Sequence, residues 1–544
     1  MRYRLATLLV FVSLLVTACG SSQYTTTGNG TATAPSAYDP NPKVLNIVAG
    51  SEQQLVLSAV VVPWCKQHGY TCNYTLLGSV DQARLLASGN APYDAFWFAS
   101  SVFEQLGNQA NVLRDVQPMF TTPIVFAGWK SEMQRLGFVG HPVTIQQIFD
   151  TIVAGKTTVW ATNPTQSNSG ATALFAFLNY LAGNKPGVQL TLAQLNEPKV
   201  KAGITRFTRE FSRTPPSTGT MMDDCVANDK TCKTMFTYED LVIQENQQLV
   251  AHGHEPLYAV YPRGGLAISD APLGFLPHGS NPDKEATFKA LQAYMLSPEA
   301  QAKVEAFGRR PYTSIGLSLP NADPKVFNPD WGIIPTLNES TITYPSADVI
   351  QKVLDNYQLA YRRPVDLVYC IDGSGSMDGN GGWDGIEQSM KLLFDPAQAA
   401  KLLLQIAAND RTTVLVFSDS ILLDQTVDGN SPAALATLRQ KLAAQSPDGG
   451  TAIYDCLSVA TQKLDADTVS GRKKLIVLMT DGQNNSGLDH VPRNLIVSGV
   501  PVIAIAYGDD ADTGTLESIA EQTGGSFIQS TDLVQALRNA TSYK

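Results

Sequence analysis

Val365-Asp-Leu-Val-Tyr-Cys-Ile371 is a near-continuous apolar run that stops at Asp372-Gly-Ser-Gly-Ser376. A run of that length, rich in β-branched residues and ended by glycines, predicts a strand buried on both faces, as in a parallel sheet covered by helices. Leaving such a strand, alternate side chains point the same way. The spacing therefore gathers Asp372, Ser374 and Ser376 at the strand's carboxyl end, the edge where open α/β sheets bind ligands. One carboxylate and two hydroxyls form a hard, all-oxygen set. It suits Mg²⁺ first, accommodates Mn²⁺ or Ca²⁺, and is poor for zinc.

Two later stretches add to it. Gly449-Gly-Thr451 opens a helical pattern with a hydroxyl at its start, and Lys474–Met479 is a second buried strand running into Thr480-Asp481. Together, Asp-x-Ser-x-Ser, then a Thr, then an Asp resemble the metal-ion-dependent adhesion site of von Willebrand factor A domains. The resemblance implies a doubly wound, Rossmann-like domain over 365–544. It also implies that Ser374, Ser376 and Thr451 ligate a divalent cation directly, while Asp372 and Asp481 act mainly through coordinated waters. Neutral hydroxyls offset little of the ion's charge, so it stays open to a carboxylate from a protein or other acidic partner. Recognition is expected, not catalysis. Helices are expected at 383–408, 432–445, 453–464, 512–523 and 532–540, and further strands at 412–417 and 500–506.

The amino end has a different character. Arg2 and Arg4 precede the apolar Leu5–Val16, the pattern of an export signal over residues 1–18. Leu15-Val-Thr-Ala-Cys19-Gly20 resembles a bacterial lipobox, which implies cleavage before Cys19 and its lipidation. The apolar run is too short to be a stable membrane span. From residue 19 to 43 the chain is dominated by Ser, Thr, Gly, Ala and Pro with little charge, a composition that reads as a tether.

Strand and helix patterns alternate through 44–344, again α/β. The Ala49-Gly50-Ser51 turn, the Ala95–Ser101 strand, the Asn168-Ser-Gly-Ala171 helix start and the Phe288–Phe307 tail resemble type II periplasmic solute-binding proteins. That implies two lobes, with the chain crossing near Pro123–Val125 and returning near Ile268–Leu273, and a cleft for a small solute. Ser51, Ser100, Ser101, Ser169 and Gly170 are the candidate contacts, since helix starts offer free N–H groups to an anion. Alternatively, these groups merely cap their own backbone. Residues 345–364 form a connecting helix that runs straight into the 365 strand.

Charge and cysteines narrow the partners. From residue 365 onward 12 Lys and Arg face 22 Asp and Glu, which accounts for the whole net charge of −10; the remaining 27 and 27 cancel. An acidic domain with no basic stripe argues against nucleic acid. In an exported chain, the closely spaced pairs Cys65/Cys72 and Cys225/Cys232 predict local disulfides. Cys370 and Cys456 fit either buried thiols or a third bond. No Gly-x-Ser-x-Gly sits on a strand-to-helix elbow, and Gly373-Ser-Gly-Ser lacks the Lys of a phosphate loop.

The sequence thus points to an adhesion-type surface lipoprotein outside the bacterial cell membrane, held there by lipidated Cys19 alone. The solute-binding-like region would be its scaffold or sensor. The alternative is the substrate-binding lipoprotein of an ABC transporter with an accessory A domain. Replacing Cys19 by Ser is expected to release the protein from membranes or leave it unprocessed, read by fractionation and amino-terminal mass. Wild-type protein found in cytosol with its amino terminus intact would contradict the anchor.

Overall fold

Apolar runs of the first region sort into two sheets. The computed structural model describes residues 35–312, 317–378, 382–507, 511–530 and 532–541. The 1–18 segment and Cys19 lie outside these residues.

In lobe one, β1 (Val44–Ala49), β2 (Thr71–Leu76), β3 (Ala95–Trp97) and β4 (Arg114–Pro118) belong to one sheet. Lobe two holds β5 (Phe120–Trp129), β6 (Val159–Trp160), β7 (Phe211–Arg213), β8 (Thr234–Tyr238), β9 (Leu257–Val260) and β10 (Ala267–Ser269). β11 (Pro272–Phe275) then returns to lobe one, giving the orders β2-β1-β3-β11-β4 and β10-β5-β8-β6-β7. The outward crossing falls at Met119, earlier than expected, because residues from Phe120 onward already pair within lobe two. The strand expected over Ala95–Ser101 shortens to β3, since Ser100 leaves it to cap the next helix. The tether ends before residue 43: Tyr38 stacks on His278, and the carbonyls of Pro40 and Pro42 accept hydrogen bonds from Asn281 and Thr287.

A buried charge layer ties the hinge together. β12 (Arg310–Pro311) pairs with the start of β5, while a hairpin of β13 (Leu317–Ser318) and β14 (Thr336–Leu337) lies beyond it. Arg310 forks onto Glu239 (2.8 and 2.7 Å), Arg309 pairs with Asp240 at 3.2 Å, and all four side chains are fully buried. Glu52 of lobe one faces this layer. Burial pushes its carboxyl up to about 7, with the Asp240 charge adding to the rise and Arg309 opposing it.

The connecting helix, Ala347–Asn356 with a wider turn over Tyr357–Tyr361, presents an apolar stripe at helical spacing. Val349, Ile350, Val353, Leu354, Tyr357 and Tyr361 pack on helices of lobe two and join an aromatic core that continues from there into lobe one. The helix ends where Arg362 turns extended ahead of Arg363-Pro364, a position that disfavours helix. Arg362 then forks onto buried Asp410 of the next domain.

That domain is one six-stranded sheet. β15 (Val365–Asp372), β16 (Arg411–Phe417), β17 (Ile421–Asp428), β18 (Lys473–Thr480), β19 (Val502–Ala506) and β20 (Ser526–Gln529) lie in the order β17-β16-β15-β18-β19-β20, with β17 alone antiparallel. Every residue of β15 is buried. Leu367, Tyr369 and Ile371 enter the core on one face of the sheet, Val368 and Cys370 that on the other. The single helix expected over 383–408 is two, Gly382–Leu393 and Pro396–Lys401. Asp395 caps the second with Pro396 in its first turn, and residues past Leu402 are not helical. Disulfides join Cys65–Cys72 and Cys225–Cys232 as expected, and also Cys370–Cys456.

Arg310→Met leaves the fully buried Glu239 without its cationic partner and should cost about 3–5 kcal/mol, measured by denaturant midpoint. Arg310→Met with Glu239→Leu should recover most of it. Glu52 gives a pH signature. Its raised folded-state pKa contributes stability below the ordinary carboxyl pKa, and that contribution is lost as pH rises from 4.5 to about 7. Glu52→Gln should gain about 3 kcal/mol over its parent across that window, whereas parallel pH profiles would contradict the buried carboxyl.

Candidate functional site

β15 ends at Asp372, so the two serines do not continue the strand. Ser374 lies on the loop and Ser376 on a tight turn, Gly375–Asp378. The turn, more than strand alternation, brings the groups together. Asp372 Oδ1 accepts the Ser374 N–H (2.8 Å), and its Oδ2 accepts the Thr480 hydroxyl at the end of β18. Ser374 Oγ lies 3.1 Å from Ser376 Oγ, which donates to Asp481 Oδ1 at 2.8 Å. Thr451 opens onto the same place: a side chain at Gly482 would sit 3.5 Å from Thr451 Oγ1 and 3.7 Å from Ser376 Oγ. All five expected residues converge.

The set is graded by depth. Asp372, Ser374 and Thr451 are buried, Asp481 is half-buried and Ser376 is exposed. Burial pushes the Asp372 carboxyl up, with the Thr480 and Ser374 hydrogen bonds opposing and the Asp481 charge adding to the rise. Neither carboxylate has an ion-pair partner among the described residues. A divalent cation fits this donor set: three hydroxyls and two carboxylates, the carboxylates with no Lys or Arg ion-paired to them among the described residues. Among the described residues no group of three His, Cys, Asp or Glu is placed to hold a metal.

Sequence reasoning missed the residues that hold the loops. Asn485 Oδ1 accepts the Thr451 N–H and Asn484 Oδ1 that of Ile453, both at 2.8 Å. Asp419, after β16, accepts the Gly450 N–H at 2.9 Å. Two Asn following Asp481 and an Asp after a buried strand were the available signals. The Cys370–Cys456 bond adds a covalent tie between β15 and the helix Ile453–Asp465 that follows Thr451.

The candidate cleft contacts have a different fate. Ser100 caps the helix Ser101–Gly107, and Ser101 bonds Asp270 through its N–H (2.7 Å) and its hydroxyl. Ser169 Oγ lies 2.8 Å from both Thr162 Oγ1 and Thr218 Oγ1. The Gly170 N–H donates to Thr162 Oγ1, and a side chain at Gly170 would come within 1.9 Å of the Thr162 carbonyl oxygen. Ser51 bonds across the lobes, its Oγ accepting the Gly219 N–H at 2.9 Å. Each of the five thus already has a hydrogen-bond partner within the protein, and the lobes are closed on themselves.

Comparison with known proteins follows this division. The family model for bacterial extracellular solute-binding proteins matches residues 45–310, and that for the von Willebrand factor type A domain matches 366–542. No curated protein matches the chain. Among solved structures it is similar to a von Willebrand factor type A protein from Catenulispora acidiphila (19% identity, TM-score 0.29), a match covering 34% of this chain and 44% of that one, less than half its length. It is also similar to the sulfate-binding protein SubI from Mycobacterium tuberculosis (17% identity, TM-score 0.37, covering 50% and 88%). A third is the periplasmic binding protein AfuA from Actinobacillus pleuropneumoniae (12% identity, TM-score 0.43, covering 58% and 98%). The chain thus carries a bacterial extracellular solute-binding domain followed by a von Willebrand factor type A domain.

Proposed function

We propose that this protein is a surface recognition lipoprotein, anchored outside the bacterial cell membrane through Cys19, that grips a carboxylate-bearing partner through a divalent cation on its C-terminal domain. The convergence of Asp372, Ser374, Ser376, Thr451 and Asp481 at one rim carries the reading. Ser374, Ser376 and Thr451 would hold the cation by their hydroxyls, with Asp372 and Asp481 steadying it from outside. The bound ion would supply an electrophilic seat for an acidic side chain, Mg²⁺ being the first choice. The solute-binding domain serves as scaffold or sensor, and the whole is a binder, not an enzyme.

The extracellular class of the solute-binding domain supports the location, and among the described residues no helix is long and apolar enough to cross a membrane. Service to a transporter rests on the domain match alone. Ser51, Ser169 and Gly170 already bond to Gly219, Thr218 and Thr162, which gives it no further support.

Thr451→Ala removes one hydroxyl and leaves the buried bonds of Asp372 in place. It should weaken Mg²⁺ binding to the whole ectodomain at least tenfold, about 1.4 kcal/mol, measured by titration calorimetry. Ser374→Ala should do the same. Unchanged affinity in both would overturn the metal site.

A further inference from the structure

The last helix, Leu533–Thr541, has two faces with different owners. Leu533, Ala536, Leu537 and Ala540 enter the core of the C-terminal domain. Gln535, Arg538 and Asn539, three and four apart and so on one helix face, reach out to the solute-binding domain. Arg538 Nη2 donates to Asp81 Oδ1 of lobe one (2.5 Å) and to the Thr165 carbonyl of lobe two (2.9 Å). Gln166 Nε2 of lobe two donates to Asn539 Oδ1 at 3.1 Å, and Gln535 Nε2 approaches Asp81 Oδ2 at 3.4 Å. Arg538 is 4% exposed and Asp81 6%, so water does not dilute the pair.

The lobes meet at the same spot. The N–H groups of Val80 and Asp81, in the first turn of the helix Ser79–Ala87, donate to the Gln166 carbonyl at 3.0 and 3.4 Å. Gly78 allows this approach, since a side chain there would lie 2.3 Å from that oxygen. Opening the lobes must pull Asp81 away from Thr165 and Gln166. One guanidinium, anchored in a third body, is bonded to both sides of that gap. The third body cannot simply follow lobe one, because the connecting helix is buried in lobe two and Lys473 and Arg213 bond across the same junction.

We propose that the C-terminal helix is a strap that holds the solute-binding lobes closed, Arg538 bridging Asp81 to Thr165. Access to the cleft is thereby governed by the domain that carries the candidate metal site. This assignment rests on the interdomain geometry and stands whether or not that site takes a cation.

Amide hydrogen exchange resolved to single residues tests it on the whole ectodomain. The Val80, Asp81 and Gly219 amides lie in first turns of helices, where no intrahelical acceptor protects them, and each is held by the opposite lobe. The Ser51–Gly219 bond involves no residue of the strap, so a purely local role for Arg538 would leave it unmoved. Arg538→Met should speed exchange at all three amides at least tenfold. Faster exchange at Val80 and Asp81 with Gly219 unchanged, or no change at any of them, would overturn the strap. Should Arg538→Met unfold the C-terminal domain, Asp81→Asn leaves the helix intact and is judged by the same amides.

Discussion

Burial of one apolar stripe, Val349 to Tyr361, sets the geometry of everything after residue 345. Six side chains of the connecting helix complete the core of lobe two, so the helix belongs to that lobe as much as to the linkage. Thr208 Oγ1 donates to the Tyr361 carbonyl at 2.7 Å, and Gln358 Nε2 to the Gln405 carbonyl at 2.9 Å. The first bond faces lobe two and the second the C-terminal domain. Arg362 then meets Asp410, which also accepts the Val365 N–H at the head of β15. From the aromatic core of one domain to the central strand of the next, the chain is held by hydrogen bonds at Gln358, Tyr361, Arg362 and Val365. The strand that ends in Asp372 starts from a fixed point.

That strand explains the chemistry at its far end. A central strand buried on both faces leaves its last carboxylate, Asp372, without water, and hydrogen bonds from Thr480 and Ser374 only partly offset the cost of charging it. Asp481 adds a second negative group nearby. Ser374, Ser376 and Thr451 contribute lone pairs and no charge. In the function proposed above, such a rim would hold a cation while neutralising it incompletely, the electrostatic condition under which an acidic partner would complete the shell.

These features were unequally legible in the sequence. β15 and β18 could be read because burial on both faces leaves an unbroken apolar run; the spacing after β15 pointed to Asp372, Ser374 and Ser376, while Thr451 and Asp481 joined them through the resemblance to the metal-ion-dependent adhesion site. The crossing at Met119 could not, since Thr122–Trp129 reads as one apolar strand whichever lobe takes its first residues. β17 alternates weakly because it is an exposed edge strand, and β20 is short and only half-buried. The break at Asp395-Pro396 was there to be seen as a cap followed by a proline. Arg538 was not: nothing local to a helix tells that its polar face meets two lobes from more than 350 residues away.

The C-terminal domain is attached to the two lobes by different physics. Its hold on lobe two adjoins an apolar core, where the favourable term scales with area and survives small shifts. Its hold on lobe one centres on Asp81, a buried ion pair whose value depends on close geometry. Arg84 sharpens the contrast: burial, and then the charge of Arg538, push its guanidinium down to about 9, so two cations lean on one carboxylate. An attachment of that kind is lost sharply when the partners separate, whereas the other is not. Lobe one is therefore the body that leaves, and Arg538 is the contact that decides when. By linkage, the closed lobes and the docked helix stabilise each other by one and the same coupling free energy, so whatever draws the helix away weakens closure by up to that amount.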